Sequence, residues 1–487
     1  MFAITSTAMG VVVLPADALV TIDGYFHFKI AQLIASNGPW VDVKWLPLTV
    51  LGDAGPDHHW LWHVLLVPFT WLSPAFMGLK WATVLTAAAV PSALCWLLLR
   101  MRVPWPALFA LLAWAGAVIM PGRLLMLRAQ NLAIVGVALA LWCLATRRHR
   151  LLALVSFTMM QAYHGAVLLL PLAMIDLGLR RVGDGVWIWR SLLAVVVGLC
   201  AGLLLSPWFP ENVDYLLFHT LYKLTNPQQL AVGSEWLSPS LAHILMESWP
   251  VLLCLCGAIA FRLRRRAERP SHEVLLWGAA TLLCLALYLK AWRFAEYFVP
   301  VAAVFTALLT RRESAATPET PSPDLWLRGL LVTVLFCVTL GGWMGLQTVS
   351  ARAEFEPGKY GEIAEVLREK AEPGDLVFNR AWEDFVFLFW QESDLRYVTG
   401  LDPNYLAYQD PARFEVWMWI RSIAAEEPND PAPLIGEMFG TRWVVVDHHG
   451  GALASRLKAS PHAHLLKRTK WGWLYEIRLP PEASGGP

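Results

Sequence analysis

The chain has 487 residues, of which 56% are hydrophobic, and its formal net charge is +1. Several apolar runs approach the ~20 residues that a helix needs to cross a bilayer, and charged residues gather in the gaps between them. This composition excludes a soluble enzyme with one anchor and predicts an integral membrane protein. The arginines are spread among loops instead of forming one basic face, so no nucleic-acid partner is expected. All seven cysteines lie in apolar runs, so no disulfide framework is predicted.

The first predicted elements are a short crossing and a surface helix. Residues 1–19 are apolar but lack the basic start and cleavage site of a signal peptide, so we interpret them as a first crossing. Apolar residues recur at helical spacing in 25–34, which predicts a helix along the membrane surface that ends at Asn37-Gly38-Pro39. Asp23 lies at or just before the start of this helix. The helix dipole stabilises an anion there, so one interpretation of Asp23 is a helix cap.

A polar loop, 47–56, leads to a histidine-rich stretch with His58, His59 and His63. The apolar run 60–77 that follows is broken by prolines, which indicates a segment that lies in the interface or re-enters the membrane. The histidines have two interpretations. They are metal ligands, or they pack amphipathically beside neighbouring tryptophans.

The other apolar runs predict the membrane-spanning helices. They are 81–99, 104–120, 131–145, 187–205, 241–261, 274–289, 294–309 and 326–346. Residues 151–179 are interpreted as a hairpin of two short helices broken at Tyr163-His164-Gly165, because one span would place Arg180-Arg181 on the wrong face. With this hairpin there are about eleven crossings, and every basic cluster lies on the cytoplasmic side. His164 either satisfies a backbone carbonyl at the break or has a function.

Two long external loops, 20–79 and 206–240, complete the predicted membrane domain of residues 1–350. Residues 313–324, rich in Pro, Ser and Thr, are expected to form a flexible linker before the last crossing. An external α/β domain is predicted for 351–487. Its strands are predicted at 376–378, 443–446 and 473–477, and its helices at 360–370, 413–425 and 433–439.

Four short motifs, in this order, resemble those of the GT-C glycosyltransferases, most closely the catalytic subunits of oligosaccharyltransferases. They are Asp23-Gly-Tyr-Phe-His27, Asn226-Pro227, Val232-Gly-Ser-Glu235-Trp236 and Trp292-Arg293-Phe294-Ala-Glu-Tyr297. The resemblance covers most of the membrane part. It implies a GT-C-like enzyme that takes a sugar or glycan from a polyprenyl phosphate or pyrophosphate carrier at the outer membrane face.

The resemblance also implies roles for individual residues. Asp23 would be the base or a metal ligand, with His27 as a further candidate beside it. Glu235 would be a supporting acid, and Arg293 would meet the lipid phosphate. These residue types suit glycosyl transfer, which needs a carboxylate for the acceptor and cations for the phosphate leaving group. Lys290 lies three residues before Arg293 at a predicted helix end, so the two are expected to form a clamp. The alternative is that both snorkel to the interface.

The chain departs from the oligosaccharyltransferase pattern between the third and fourth crossings. Those enzymes carry an acidic pair there, whereas residues 121–131 contain Arg123 and Arg128 and no acid. A divalent cation (Mg or Mn) is therefore a doubtful cofactor, although Asp53, Asp57 and the paired histidines offer ligands by another route. We expect the two arginines to neutralise phosphate directly, as in metal-independent members with monophosphate carriers.

A second departure concerns the peptide-recognising sequence Trp-Trp-Asp-Tyr-Gly. Only a remnant is present, Trp382-Glu-Asp384-Phe385, so recognition of an asparagine sequon is not implied. A turn capped by Asp384 is the other interpretation.

The favoured function is inverting transfer of a sugar from a polyprenyl-phosphate-linked donor to an extracytoplasmic glycan, lipid or protein acceptor. One alternative is an oligosaccharyltransferase that moves a whole glycan to protein. Another is a transporter or flippase, although such proteins usually show internal repeats and we find none. A third alternative is a relative of these enzymes that has lost its activity. The composition, rich in Ala, Leu, Arg and Trp but poor in Lys, points to a bacterial inner membrane with the active site and C-terminal domain outside.

Overall fold

A computed structural model describes residues 1–185, 187–222, 233–264, 270–311, 325–351, 355–424 and 429–479. The predicted linker 313–324, the motif Asn226-Pro227, and Val232 lie outside these residues. The described residues form two compact units. One lies within Met1–Gly24, His58–Pro227 and Gly233–Glu354, and the other within Tyr25–Asp57 and Phe355–Pro487.

The first unit is helical. Its described α-helices are Phe2–Val13, Trp60–Leu66, Ala75–Arg100, Pro106–Ala115, Met120–Leu124, Gln130–Thr146, His149–Ala162, Leu169–Asp184, Trp189–Leu204, Glu211–Leu217, Leu241–Arg264, His272–Lys290, Ala295–Thr310 and Leu325–Ala351. Short 3-10 turns occur at Val67–Trp71, His164–Leu168, Ser234–Trp236 and Trp292–Phe294, and a π-helical turn occurs at Phe218–Tyr222.

Among the described residues of this unit, five helical segments are long and apolar enough to cross a membrane. They are Ala75–Arg100, Leu241–Arg264, His272–Lys290, Trp292–Thr310 and Leu325–Ala351. Other apolar helices are shorter, including Phe2–Val13, Gln130–Thr146 and Trp189–Leu204. This is the profile of an integral membrane protein. The count of about eleven crossings stays a prediction.

The predicted break at Tyr163-His164-Gly165 is confirmed, whereas the reversal of the two helices into a hairpin stays a prediction. The helix His149–Ala162 ends at Tyr163, whose backbone is extended, and the 3-10 turn His164–Leu168 then leads into Leu169–Asp184. The first of these helices packs closely against Trp189–Leu204 through glycine. A Cβ atom added at Gly198 would lie 2.3 Å from the carbonyl oxygen of Ala153. Small residues allow membrane helices to approach this closely.

The prediction of one continuous helix over 104–120 is wrong, because the helix ends at Gly116, beside a proline of a neighbouring helix. Pro106–Ala115 ends before the short helix Met120–Leu124, and the facing helix Leu241–Arg264 contains Pro250, which has no N–H to donate. In an unbroken helix the Val251 N–H would donate to the Glu247 carbonyl.

The backbone groups that are freed at these two positions bond to each other. The Val251 N–H donates to the Gly116 carbonyl at 2.9 Å, and the Val118 N–H donates to the Glu247 carbonyl at 2.8 Å. Such mutual satisfaction permits irregular backbone within a membrane protein. The break starts the short helix that carries Arg123.

The second unit is an α/β domain around one sheet. Its strands are β1 (Leu376–Asn379), β2 (Arg396–Tyr397), β3 (Trp443–Asp447), β4 (Ala463–Thr469) and β5 (Gly472–Ile477), in the order β2-β1-β3-β5-β4. β1 pairs in parallel with β2 and β3, and β5 pairs antiparallel with β3 and β4. The helices in 355–479 are Gly361–Lys370, Phe385–Gln391, Asn404–Gln409, Pro411–Arg421, Pro431–Phe439 and Gly451–Ala459.

The helix predicted over 25–34 exists as Asp23–Asn37, but its apolar residues pack against protein. The Tyr25 ring lies 5.3 Å from the ring of Trp390, and the Phe26 ring lies 5.8 Å from that of Phe389. Trp45 also donates its indole N–H to the Ser393 carbonyl at 2.6 Å. The structure therefore differs from the predicted division into domains. Residues 25–57 of the predicted external loop 20–79 belong to the second unit.

We predict that Gly198→Val destabilises the protein by about 1–3 kcal/mol, because the added side chain would meet the Ala153 backbone. The measurement is the thermal midpoint in detergent. The matched control is Gly178→Val, also in a helix, where an added Cβ has nothing within 4 Å. Equal midpoints for the two variants would show that this helix contact is not tight.

Candidate active site

Three arginines of the first unit converge on the carboxylate of Glu235. Its Oε2 accepts hydrogen bonds from Nη1 of Arg123 at 2.6 Å and Nη1 of Arg128 at 3.1 Å. Nη1 of Arg293 lies 3.5 Å from the other oxygen, Oε1. One carboxylate thus contacts three guanidinium groups, two from the segment that contains Arg123 and Arg128 and one from Arg293.

Two more carboxylates extend this ion-pair cluster on either side. Asp23 pairs with Nε of Arg128, and the Thr21 hydroxyl donates to the same Asp23 oxygen at 3.2 Å. Glu296 pairs with Arg123. The Arg123 and Glu296 side chains are 4% and 3% exposed, whereas that of Asp23 is 30% exposed. The cluster therefore has a closed end at Glu296 and a more open end at Asp23.

Short helical turns aim the central groups. Glu235 lies in the 3-10 turn Ser234–Trp236, and Arg293 lies in the 3-10 turn Trp292–Phe294. The Trp292 N–H donates to the Leu237 carbonyl at 3.1 Å, which holds the two turns together. The Arg293 guanidinium also lies over the Trp236 ring, 4.1 Å from its centroid. Both side chains are therefore fixed by local structure as well as by charge.

The segment between Arg123 and Arg128 is a tight connection. Leu127 has a positive φ of 49°, and the Asn131 side-chain amide donates to the Leu124 carbonyl at 2.8 Å. A non-glycine residue in this conformation costs free energy and persists where surrounding contacts over-determine it. The turn directs both arginines toward Glu235.

The electrostatic environment keeps Glu235 ionised. Burial alone would raise its pKa, but Arg128, Arg123 and Arg293 outweigh burial and hold the pKa well below its usual range. Glu235 is therefore an anion that organises the arginines. It is a poor proton donor at neutral pH.

The arrangement suits an anion better than a metal ion. Planar guanidinium groups bind phosphate with paired, charge-assisted hydrogen bonds. Asp23, Glu235 and Glu296 each face an arginine, so a divalent cation would have to displace a guanidinium from each carboxylate that it used. The residues of this cluster therefore do not fit a Mg²⁺ or Mn²⁺ site.

The structure brings together five of the predicted site residues. They are Asp23, Arg123, Arg128, Glu235 and Arg293. Glu296, which closes the buried end, was not among the site residues predicted from the sequence. Its presence in an otherwise apolar run was a usable indication, because an ionisable residue inside a membrane span is costly and is usually functional.

Lys290 is not placed as predicted. It is exposed and is the last residue of His272–Lys290, and Ala291 then has an extended backbone. The assumed helical spacing to Arg293 is therefore wrong, because no helix connects the two residues. A phosphate contact by Lys290 stays a prediction.

The other aspartate and aromatic candidates lie in the second unit. His27 is buried with its ring edge-on to Phe26, and Asp57 is buried as well. Asp384 accepts from Nζ of Lys359 at 2.8 Å and from the Tyr360 hydroxyl at 2.7 Å, which indicates a structural ion pair. Trp382 packs against the core of the sheet.

The histidine candidates form a group of their own in the first unit. Ligand atoms of His58, His59 and His164 all lie within 4.8 Å of one another. His219, whose ring centroid is 4.3 Å from that of His164, was not predicted from the sequence to belong to this group. A single histidine far along the chain carries no sequence pattern that would have placed it here.

No protein-family model matches the sequence, and no curated protein matches it. Solved structures do match. The archaeal oligosaccharyltransferase AglB from Archaeoglobus fulgidus, in complex with an inhibitory peptide and a dolichol-phosphate, has a TM-score of 0.61 at 10% identity, covering 99% of this chain and 74% of that one. ArnT from Cupriavidus metallidurans, bound to undecaprenyl phosphate, has a TM-score of 0.60 at 14% identity, covering 100% and 98%.

A third match is the arabinofuranosyltransferase AftD from Mycobacteria, with a TM-score of 0.60 at 14% identity, covering 98% of this chain and 40% of that one. All three are GT-C glycosyltransferases. At these identities the likeness shows a shared fold. The resemblance to the GT-C glycosyltransferases is therefore confirmed for the fold of nearly the whole chain.

We predict that Glu235→Gln lowers the thermal midpoint, because it leaves three arginines with one anion fewer. Breaking a fully buried ion pair costs about 3–5 kcal/mol, and the 20% exposure of Glu235 reduces this. Because the folded pKa is depressed, the contribution of Glu235 is fully present above its ordinary value of 4.5 and is lost as the pH falls toward the folded value.

The midpoint difference between the original protein and Glu235→Gln should therefore be constant from pH 8 to 6 and shrink below pH ~4.5. Glu211→Gln, at an exposed glutamate of the same unit, controls for the substitution itself. A difference that already shrinks between pH 8 and 6 would contradict a depressed pKa.

Proposed function

We propose that this protein is a membrane glycosyltransferase that moves a sugar, with inversion, from a polyprenyl-phosphate-linked donor to an extracytoplasmic acceptor. The observation that carries the proposal is the convergence of Arg123, Arg128 and Arg293 on Glu235, next to Asp23. The shared fold supports it, since AglB and ArnT are solved with dolichol-phosphate and undecaprenyl phosphate.

In this proposal the donor phosphate competes with Glu235 for the arginines. Before binding, Glu235 pairs with Arg293 and shares Arg123 with Glu296 and Arg128 with Asp23, so these cations do not face a poorly solvating environment unpaired. The donor phosphodiester carries one negative charge, as a carboxylate does, and its phosphate gains a second as the bond to the sugar breaks. The donor can therefore share guanidinium contacts with Glu235 when it binds, and the arginines stabilise the additional charge that grows on the leaving phosphate.

Asp23 would be the base in this mechanism. Its side chain lies at the open end of the cluster, and Arg128 and Thr21 fix its orientation. Its carboxylate would take the proton from the acceptor hydroxyl, whose oxygen attacks the anomeric carbon from the face opposite the phosphate. The bond between the sugar and the phosphate oxygen breaks, and the phosphate leaves with the bonding electrons.

We further propose that transfer does not need added Mg²⁺ or Mn²⁺, since the acids of the cluster are paired with arginines. The active site and the predicted domain 351–487 would face outward from a bacterial inner membrane. The acceptor would be a glycan, a lipid or a protein of that compartment.

Asp23→Asn should lower kcat by about 10²–10⁴-fold, because the acceptor hydroxyl loses its base. The measurement is transfer of labelled sugar from polyprenyl-phosphate donors to an envelope extract by purified protein. Asp17→Asn, at an exposed aspartate in the same N-terminal stretch, is the control. Unchanged transfer by Asp23→Asn would leave Asp23 as a helix cap only.

The same assay decides between the alternatives. Transfer that requires Mg²⁺ or Mn²⁺ and delivers a whole glycan to peptide would favour an oligosaccharyltransferase. If the original protein transfers sugar from none of the donors, a transporter or an inactive relative becomes the favoured function in place of a glycosyltransferase.

Arg293→Met should reduce transfer by about 10²–10³-fold, because the leaving phosphate loses a preorganised cation. The control is Arg100→Met. Arg100 also stacks on a tryptophan, 5.3 Å from the Trp96 ring centroid, but lies at the end of the helix Ala75–Arg100. Equal losses of transfer activity in the two variants would show that Arg293 is not part of the phosphate site.

A further inference from the structure

A second polar cluster of the first unit takes no part in the proposed transfer. The chain has 13 histidines, and five of them come together here. They are His58, His59, His63, His164 and His219. They come from three distant segments: the stretch at the start of Trp60–Leu66, the hairpin break at His164–Leu168, and the π-helical turn Phe218–Tyr222.

Three of these histidines have the spacing of metal ligands. Ligand atoms of His58, His59 and His164 lie within 4.8 Å of one another. Zinc binds imidazole nitrogens at about 2.0–2.1 Å in a tetrahedron, which places neighbouring nitrogens roughly 3.4 Å apart. Small side-chain rotations would therefore bring the three nitrogens onto one ion.

The surroundings of His59 match those of a metal-ligating histidine. Its Nδ1 lies 3.0 Å from the Ala162 carbonyl oxygen, so Nδ1 carries the proton and donates it there. Nε2 then carries the lone pair. Ligating histidines in proteins usually hold their tautomer and ring orientation by this kind of bond to a backbone carbonyl.

A fourth imidazole and a tyrosine lie beside these three. The ring centroid of His219 is 4.3 Å from that of His164 and 5.7 Å from that of His58. The Tyr215 hydroxyl lies 3.4 Å from Nε2 of His58. His219 can supply a fourth ligand, and a water molecule can occupy the same position in its place.

We propose that His58, His59 and His164 bind a Zn²⁺ ion, with His219 or water as the fourth ligand. Imidazole nitrogens favour zinc and its neighbours among the transition metals, whereas Mg²⁺ and Mn²⁺ prefer oxygen ligands. This ion is therefore distinct from a cation held by the acids. The proposal does not depend on glycosyl transfer.

The zinc site would lie next to the arginine cluster. The ring of Tyr163 stacks on His59 at 5.7 Å with an interplanar angle of 8°, and the Tyr163 side chain also lies near Tyr297 and Arg293. Tyr297 lies in Ala295–Thr310, the helix that directly follows the turn carrying Arg293. The ion would thus hold together the helix break that borders the proposed phosphate site.

The test measures zinc bound to the full-length protein, purified without a histidine tag, exposed to ZnSO₄ and then freed of loose metal. The original protein should retain about one Zn²⁺ per chain. The double variant His58→Asn/His164→Asn should retain at least about tenfold less. The control is His448→Asn/His449→Asn, which removes an exposed histidine pair of the second unit and should keep the ion.

Zinc-edge X-ray absorption of the original protein keeps the proposal testable if the double variant fails to fold. It should show three or four imidazole nitrogens at about 2.0–2.1 Å and no sulfur. An original protein that retains no zinc, a sulfur-dominated spectrum, or loss of zinc only in the His448/His449 variant would overturn the proposal. In those cases the histidines are a stacked structural cluster. Zinc content is measured without a transfer assay. The result therefore does not depend on whether the protein is an active glycosyltransferase.

Discussion

The sharing of one carboxylate by three arginines is the constraint on which the rest of the site depends. Taking a guanidinium out of water is costly unless an anion and good geometry repay it. Glu235 pairs with Arg123, Arg128 and Arg293, and flanking acids balance the remaining charge. Because these residues come from distant parts of the chain, the cluster forms only once the helices of the first unit are assembled.

A helix end beside a helical proline gives this cluster its position. The helix Pro106–Ala115 ends at Gly116, next to Pro250 of the helix Leu241–Arg264, and the freed backbone groups bond to each other. This interruption allows the short helix Met120–Leu124 to present Arg123 inside the unit, where a continuous helix would have carried the chain onward. Similarly, the helix break at Tyr163 places His164 in the 3-10 turn that follows it. Irregular backbone in the first unit thus lies next to its ionisable side chains.

Hydropathy was sufficient to predict most of the helices and the break at Tyr163, because an apolar run and a polar interruption are both local features. The prediction of one long helix over 104–120 was wrong because the end of that helix depends on contacts with a neighbouring helix. Strand β4 (Ala463–Thr469) was missed because its mostly polar sequence lacks alternation and pairs through the backbone at the sheet edge. Strand β2 (Arg396–Tyr397) is only two residues long.

Within the site, the charged loop residues were easier to predict than their partners. Arg123 and Arg128 were expected near phosphate because they replace acids of a related pattern, and the structure places both on Glu235. Glu296 was missed because it lies within an apolar run. The predicted helical spacing between Lys290 and Arg293 was wrong because the helix ends at Lys290. Local sequence therefore shows which residues carry charge, whereas tertiary packing decides which of them meet.

The most direct test of this account is a structure of the protein with a bound polyprenyl phosphate. We predict that the phosphate contacts Arg123, Arg128 and Arg293 and that the Glu235 carboxylate has moved away from at least one of them. A phosphate bound elsewhere, with the contacts between Glu235 and all three arginines unchanged, would contradict the central claim that these arginines form the donor site.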